Sequence, residues 1–135
     1  NPDAEVVTFT SYLAELLDAG KLAANPTGKE VTYQDPFQLA RDLGEIEEPR
    51  EVISAYATIK EMLCCGKDTM WAGNLLMKEW MNDVMVSVAK NRIQNAKGVG
   101  ADTIVTASVS EYASLKAVEQ NEVKIVSIEE LILGE

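Results

Sequence analysis

Three features of this 135-residue chain predict an α/β domain built on an open parallel sheet of about four strands with helices on both faces. Short β-branched segments alternate with stretches of helical periodicity along the whole length. One of those segments, 102–108, is apolar almost throughout, as a central parallel strand buried on both faces should be. Glycines stand where the helical stretches end, at Gly20, Gly44, Gly98 and Gly100.

Residues 5–22 set Val7, Tyr12, Leu13, Leu16 and Leu17 at helical spacing, with Leu22 beyond Gly20. Thr10 or Ser11 is placed to cap that helix, and Glu15 stands in its early turns. A loop rich in Asn, Pro and Gly follows over 23–29. "EVTYQ" (30–34) is a short strand that Asp35-Pro36 ends. Residues 37–44 form a short helix, "EIEEP" is an acidic turn, and Pro49 opens the next helix, where its missing N–H costs nothing. "TIKEML" (58–63) reads as a strand running straight into Cys64-Cys65.

The helical pattern from Thr69 to Ala96 carries two stripes, Met77/Met81/Val84/Val88 and Met85/Ala89/Ile93/Ala96. Both break down near Asn82-Asp83, so two helices are allowed. Trp71 and Trp80 read as core together with the methionines; any exposed part of that stripe would mark a subunit or domain contact. A helix over 109–120 and a strand with one helical turn over 124–133 complete the chain.

At this length residues 1–135 make one domain with a proper core. Twelve basic against 22 acidic residues give a net charge of −10, which repels phosphate backbones and anionic lipid. The most apolar stretch, 70–89, is interrupted by Lys78, Glu79 and Asp83 and predicts no membrane span. Nothing in the sequence directs export, and two adjacent cysteines make no framework for a secreted domain, so a reducing cytoplasm is the expected setting. Histidine is absent, which removes every Ser–His or Cys–His catalytic arrangement and all imidazole metal ligands. "GVGADT" is a helix end leading into a strand, the reverse of a dinucleotide-binding loop.

With the pieces in order, "YQDPFQLARDLG", "EPREVI", "MLCCGK", "VAKNRIQNAKGVGADTIVT" and "ASVSEY" resemble the second half of the cysteine-rich CCG domain of the heterodisulfide reductase family of iron–sulfur oxidoreductases. The resemblance runs from about residue 10 to the C-terminus and implies a Rossmann-like fold. The chain starts where that half starts, as a domain excised from a longer chain would. The departures fall on the chemistry. Phe37 stands where the family pattern has its first cysteine, with Gln34 and Gln38 in place of histidines; Ser108, Val109 and Glu111 replace Cys, Pro and Cys; Lys67 replaces a glycine.

The resemblance implies an iron–sulfur cluster held partly by Cys64, Cys65 and Gly66, and electron transfer to or from thiol, disulfide or quinone acceptors. Two thiols cannot enclose a cluster, which commonly takes about four thiolates. With Glu111, and Asp35 on the same loops, Cys64 and Cys65 make a set better suited to zinc. As a redox pair they would form a strained vicinal disulfide, and Lys67 would favour the thiolate. As plain packing they would be two reduced, idle thiols. Tyr33, Gln34, Asp35 and Gln38 can converge with Ser108, Ser110 and Glu111 in a small polar pocket, but strand-end caps and a solvated rim are the favoured reading, with Asp35 placed to cap the helix after it; Arg41 and Arg50 are expected in salt bridges. Other subunits, or the other half of an electron-transfer complex, are the expected partners; independent catalysis is not expected. The alternative is a cofactor-free structural or docking module in such a complex.

Overall fold

The computed structural model describes residues 4–119 and 122–134. Its four strands, β1 (Glu30–Gln34), β2 (Thr58–Ile59), β3 (Thr103–Thr106) and β4 (Lys124–Ser127), lie side by side in the order β2-β1-β3-β4, all parallel. The register sets Tyr33 opposite Val105 and Val105 opposite Val126. Successive side chains point to opposite faces, so each strand feeds two cores. Val31, Tyr33, Val105 and Val126 pack with α1 (Phe9–Asp18), α2 (Glu47–Ser54) and α5 (Ile128–Leu133). Ile104 and Ile125 pack on the other face with α3 (Lys78–Gly98) and α4 (Val109–Lys116). The open parallel α/β sheet expected from the sequence is therefore the observed fold.

Helix ends follow local chemistry. Thr8 caps α1, its Oγ1 accepting from the Ser11 N–H at 3.1 Å. Thr10, expected as a cap, is buried instead and donates to Glu45, while residues 4–8 and 19–22 lie outside the helix. The acidic turn belongs to α2: Glu47 and Glu48 form its first turn, where carboxylates meet the positive end of the helix dipole. Pro49 lies within that turn, where a backbone N–H has no intrahelical partner to lose. Residues 38–43 wind as a π-helical segment closed by Gly44 at φ 71°.

Three expectations are overturned. The second strand is two residues long and leaves the sheet at Lys60, because the chain turns over the end of β1. Residues 69–74 are extended, followed by a 3₁₀ turn, Leu75–Met77, before α3 begins. Tertiary contacts override the helical periodicity here: the buried Ala72 N–H is drawn to the Glu111 carboxylate at 3.2 Å. The methionine stripe is the third. Met85, Ala89, Ile93 and Ala96 are buried, but Met77, Met81 and Val84 are exposed and Trp80 is 80% exposed. The break expected near Asn82-Asp83 is present as a kink at Met81, whose φ of −137° and ψ of 39° are not helical. Gln120, the expected end of the 109–120 helix, lies outside the described residues, and α4 ends at Lys116.

Gly73 shows how tightly the extended segment sits. At φ 125° a Cβ there would lie 2.5 Å from Ser114 Cβ and 2.7 Å from Met85 Cε. Gly73→Ala is expected to destabilise the domain by about 2–3 kcal/mol, through overpacking and a backbone conformation closed to alanine. Urea unfolding of the variant checks this; a loss below about 0.5 kcal/mol would mean that the segment packs more loosely.

Candidate functional site

The carboxyl ends of parallel strands, where α/β domains place their sites, are here crossed by a single turn. Leaving β2, residues 61–69 pass over the end of β1, with Gly66–Asp68 wound as a 3₁₀ turn. Cys64 and Cys65 sit in this crossing, both half-buried and both free. Cys64 is the only non-glycine residue with positive φ among those described, at 56°. A left-handed conformation costs a side-chain-bearing residue roughly 1–2 kcal/mol, so something must hold the turn.

Four side chains do so. Asp35, buried at the end of β1, accepts from the Gly66 N–H at 2.8 Å and from both Nη atoms of Arg50 at 2.7 and 2.9 Å. Arg50 also reaches Glu61 through Nε at 2.6 Å and Nη2 at 3.0 Å, and its guanidinium stacks 5.5 Å from the Tyr33 ring centre. Burial opposes the charge on Arg50, but its bonds to Asp35 and Glu61 prevail and raise its pKa. Arg41 donates to the carbonyls of Lys67 and Thr69. Arg92, fully buried on α3, donates from Nη1 to the Leu63 carbonyl at 3.0 Å. The chain has three arginines, Arg41, Arg50 and Arg92, and all of them grip this turn. Their planar, multi-donor head groups suit the task, since one guanidinium bridges several acceptors at once.

Beneath the turn lies a second layer. Arg92 Nε donates to Gln34 Oε1 at 2.6 Å, and Gln34 Nε2 donates to the Met70 carbonyl at 2.8 Å and leans 3.4 Å from the Glu111 carboxylate. Glu111, from the first turn of α4, also accepts from the Ala72 N–H. Burial pushes the Glu111 carboxyl up to about 7, against the opposing pull of Ala72, Gln34 and Arg92. Burial also lowers the pKa of Arg92, opposed by Glu111 and then by the Cys64 thiol. Arg92 Nη2 is buried with no partner among the described residues.

Several sequence-based expectations can now be located. Gln34 and Glu111 do meet, and the other residues considered with them are spread more widely. Gln38 is exposed, Ser110 turns its carbonyl to Ser114, and the Tyr33 ring lies on the opposite face of the sheet. Ser108 caps α4, accepting from the Glu111 N–H at 3.4 Å. Phe37 is half-buried. Arg50 makes the expected salt bridges, whereas Arg41 binds backbone carbonyls. Lys67 is exposed, and Cys65 is not activated: burial, then the Glu61 carboxylate, raise its thiol pKa. Arg92 went unnoticed as a site residue because a lone arginine amid helical periodicity reads as solvated surface.

The residues fit neither metal group. Among those described, no three Cys, Asp or Glu side chains come together as a metal-binding group, Cys64, Cys65 and Glu111 included. The carboxylates of Asp35 and Glu111 already accept hydrogen bonds from the protein. A buried guanidinium beside two thiols would repel a bare divalent cation. The orphaned Arg92 Nη2 calls for one more acceptor, an atom of opposite character to a metal ion. A cluster, whose thiolates would welcome that cation, lacks the ligands to be held.

The site is thus a turn carrying two vicinal thiols, clamped by arginines at the mouth of a parallel sheet. The chain is related to one of the subunits of dihydromethanophenazine:CoB–CoM heterodisulfide reductase. It is 34% identical over 113 residues to that of Methanosarcina barkeri and equally to that of Methanosarcina acetivorans, covering 76% of this chain and 26% of each relative. The Methanosarcina mazei protein is 33% identical over 110 residues, 74% of this chain and 25% of its own. The chain therefore spans about a quarter of the length of the curated relatives it matches. No family model and no solved structure matches it. Among the described residues no helix is long and apolar enough to cross a membrane.

Two outcomes are expected. Asp35→Ala strands the half-buried Arg50 and should cost about 3 kcal/mol in urea unfolding, while Glu61→Ala, at a carboxylate 41% exposed, should cost less than about 1 kcal/mol; equal losses would contradict the clamp. Glu111 supplies a pH dependence. Its folded pKa of about 7 exceeds the ordinary value of 4.5, so between these the folded state binds more protons than the unfolded one and stability falls as pH rises. The fall should be about 3 kcal/mol, complete by about pH 8, and absent in Glu111→Gln; parallel stability–pH curves for the two proteins would refute it.

Proposed function

We propose that this chain is a CCG-type domain of an electron-transfer oxidoreductase of the heterodisulfide reductase kind, working in a reducing cytoplasm as one part of a larger assembly. The observation that carries this reading is the position of Cys64-Cys65-Gly66. The one motif in which the sequence keeps the resembled thiols lies at the carboxyl end of the sheet, held by every arginine of the chain. The relation to the Methanosarcina heterodisulfide reductase proteins supports the same class. The assembly passes electrons to or from a thiol, disulfide or quinone acceptor. Any thiol–disulfide step carried by this chain falls to Cys64 and Cys65.

A specific observation favours the docking role as the domain's own contribution. Leu75, Leu76, Met77, Trp80, Met81 and Val84 are all exposed, Leu76 at 78% and Trp80 at 80%, within ten residues. Exposed apolar side chains gathered in one place mark a contact surface. A Leu76→Ser, Trp80→Ser variant should keep its melting temperature and lose about tenfold or more in affinity for the iron–sulfur protein that carries the rest of the assembly, since tryptophan is among the residue types that dominate binding energy at interfaces. Co-expression followed by quantitative pull-down reads this. A chain that binds no such partner, with the patch intact, would overturn the reading.

A further inference from the structure

We infer that Glu111, at one of the positions that carry cysteines in the resembled motifs, forms with Gln34 and Arg92 a polar lock that holds the mouth of the sheet together without a cofactor. The meaning of those positions rests on the function proposed above; the lock itself rests on the geometry. Cysteine ligands to a cluster do two things at once: they offer lone pairs to one centre, and they tie together the loops that carry them. The first capacity is left only to Cys64 and Cys65. Phe37 has no donor atom, Ser108 accepts from the N–H of Glu111, and Glu111 accepts from Ala72.

The second capacity has passed to hydrogen bonds. Arg92 on α3 donates to Gln34 at the end of β1. Gln34 donates to the Met70 carbonyl in the extended segment and faces Glu111 on α4. Glu111 accepts from Ala72, returning to the extended segment. Both ends of the Gln34 amide are engaged, and the chain of contacts joins β1, α3, α4 and the segment over 69–74. Arg92 also fixes the turn itself through Leu63, one residue before Cys64. These three side chains are buried, at 0%, 3% and 0% exposure for Gln34, Glu111 and Arg92, where breaking a hydrogen-bonded network is costly. Cys64 and Cys65 take no part in it and stay as two free thiols.

The test is reconstitution of the chain, purified without oxygen, with excess ferrous iron and sulfide, and separately with zinc, followed by desalting. The lock predicts a colourless protein holding well under one metal per chain, with both thiols open to a disulfide reagent and a melting temperature that EDTA does not move. Glu111→Ala and Arg92→Met should each lower the melting temperature by about 5 °C or more, as expected for opening a buried network in a domain of this size, and Glu111→Gln, which keeps an acceptor for Ala72, should retain it. Stoichiometric iron and sulfide, or one zinc, with the thiols protected would overturn the lock, as would a Glu111→Ala protein as stable as the parent. A chain that binds metal yet still joins an iron–sulfur partner leaves the proposed function standing, whereas a metal-free chain without a partner overturns that function alone.

Discussion

The rest of the site depends on the Asp35 carboxylate. It is buried at the end of β1 and is reached by the Arg50 guanidinium through two nitrogens and by the Gly66 N–H. An ionised carboxylate is costly to remove from water unless its lone pairs are met, and here at least three donors meet them. Those donors come from α2 and from the turn after β2, so satisfying one carboxylate fixes three pieces of chain relative to each other. The Thr69 hydroxyl adds a fourth tie, donating to the Asp35 backbone carbonyl at 2.8 Å. Remove Asp35, and Arg50, Gly66 and the path of residues 61–69 lose their common reference.

Around that reference the site accumulates costs. Cys64 is left-handed, Glu111 is a carboxyl held in a poor environment for its charge, and Arg92 leaves an N–H unpaired. Such features persist only where surrounding structure over-determines them. That structure is the pair of cores on either face of β1 and β3, in which Val31, Ile104, Val105 and Ile125 are all fully buried. Tyr33 belongs to the same balance, since its hydroxyl is buried without a partner among the described residues while its ring supports Arg50.

Much of the fold was legible because local and global preferences agree. "EVTYQ" is a strand from Glu30 to Gln34 as its β-branched and aromatic content predicts, and Gly44 ends its helical segment in the left-handed conformation. Legibility failed where a long-range contact decided the outcome. The span 69–74 has helical periodicity, but Glu111, 39 residues from Ala72, captures its backbone. Trp80 and the outer methionines read as core because large apolar residues usually are; the kink at Met81 rotates this first turn of α3 away from the sheet-facing stripe. In the site, Cys64 and Cys65 were conspicuous as the only thiols. Their clamp was not, because hydrogen bonds from Arg41 and Arg92 to backbone carbonyls leave no residue pattern to read.

A scaffold can outlast its ligands only if the ligands were never its sole fastening. In small metal-bound domains, metal affinity is folding free energy, and loss of the metal unfolds the chain. The arrangement here is of the opposite kind. The two cores lie on the faces of the sheet, away from its carboxyl end, and the turn above is held by guanidinium groups whose acceptors are backbone carbonyls and carboxylates. None of those bonds passes through a sulfur atom. The support of the turn therefore does not depend on thiols at positions 37, 108 or 111. Glu111 adds a hydrogen-bonded crossing of its own between α4 and the extended segment. Cys64-Cys65-Gly66 is then kept in place by its neighbours, whatever the two thiols do.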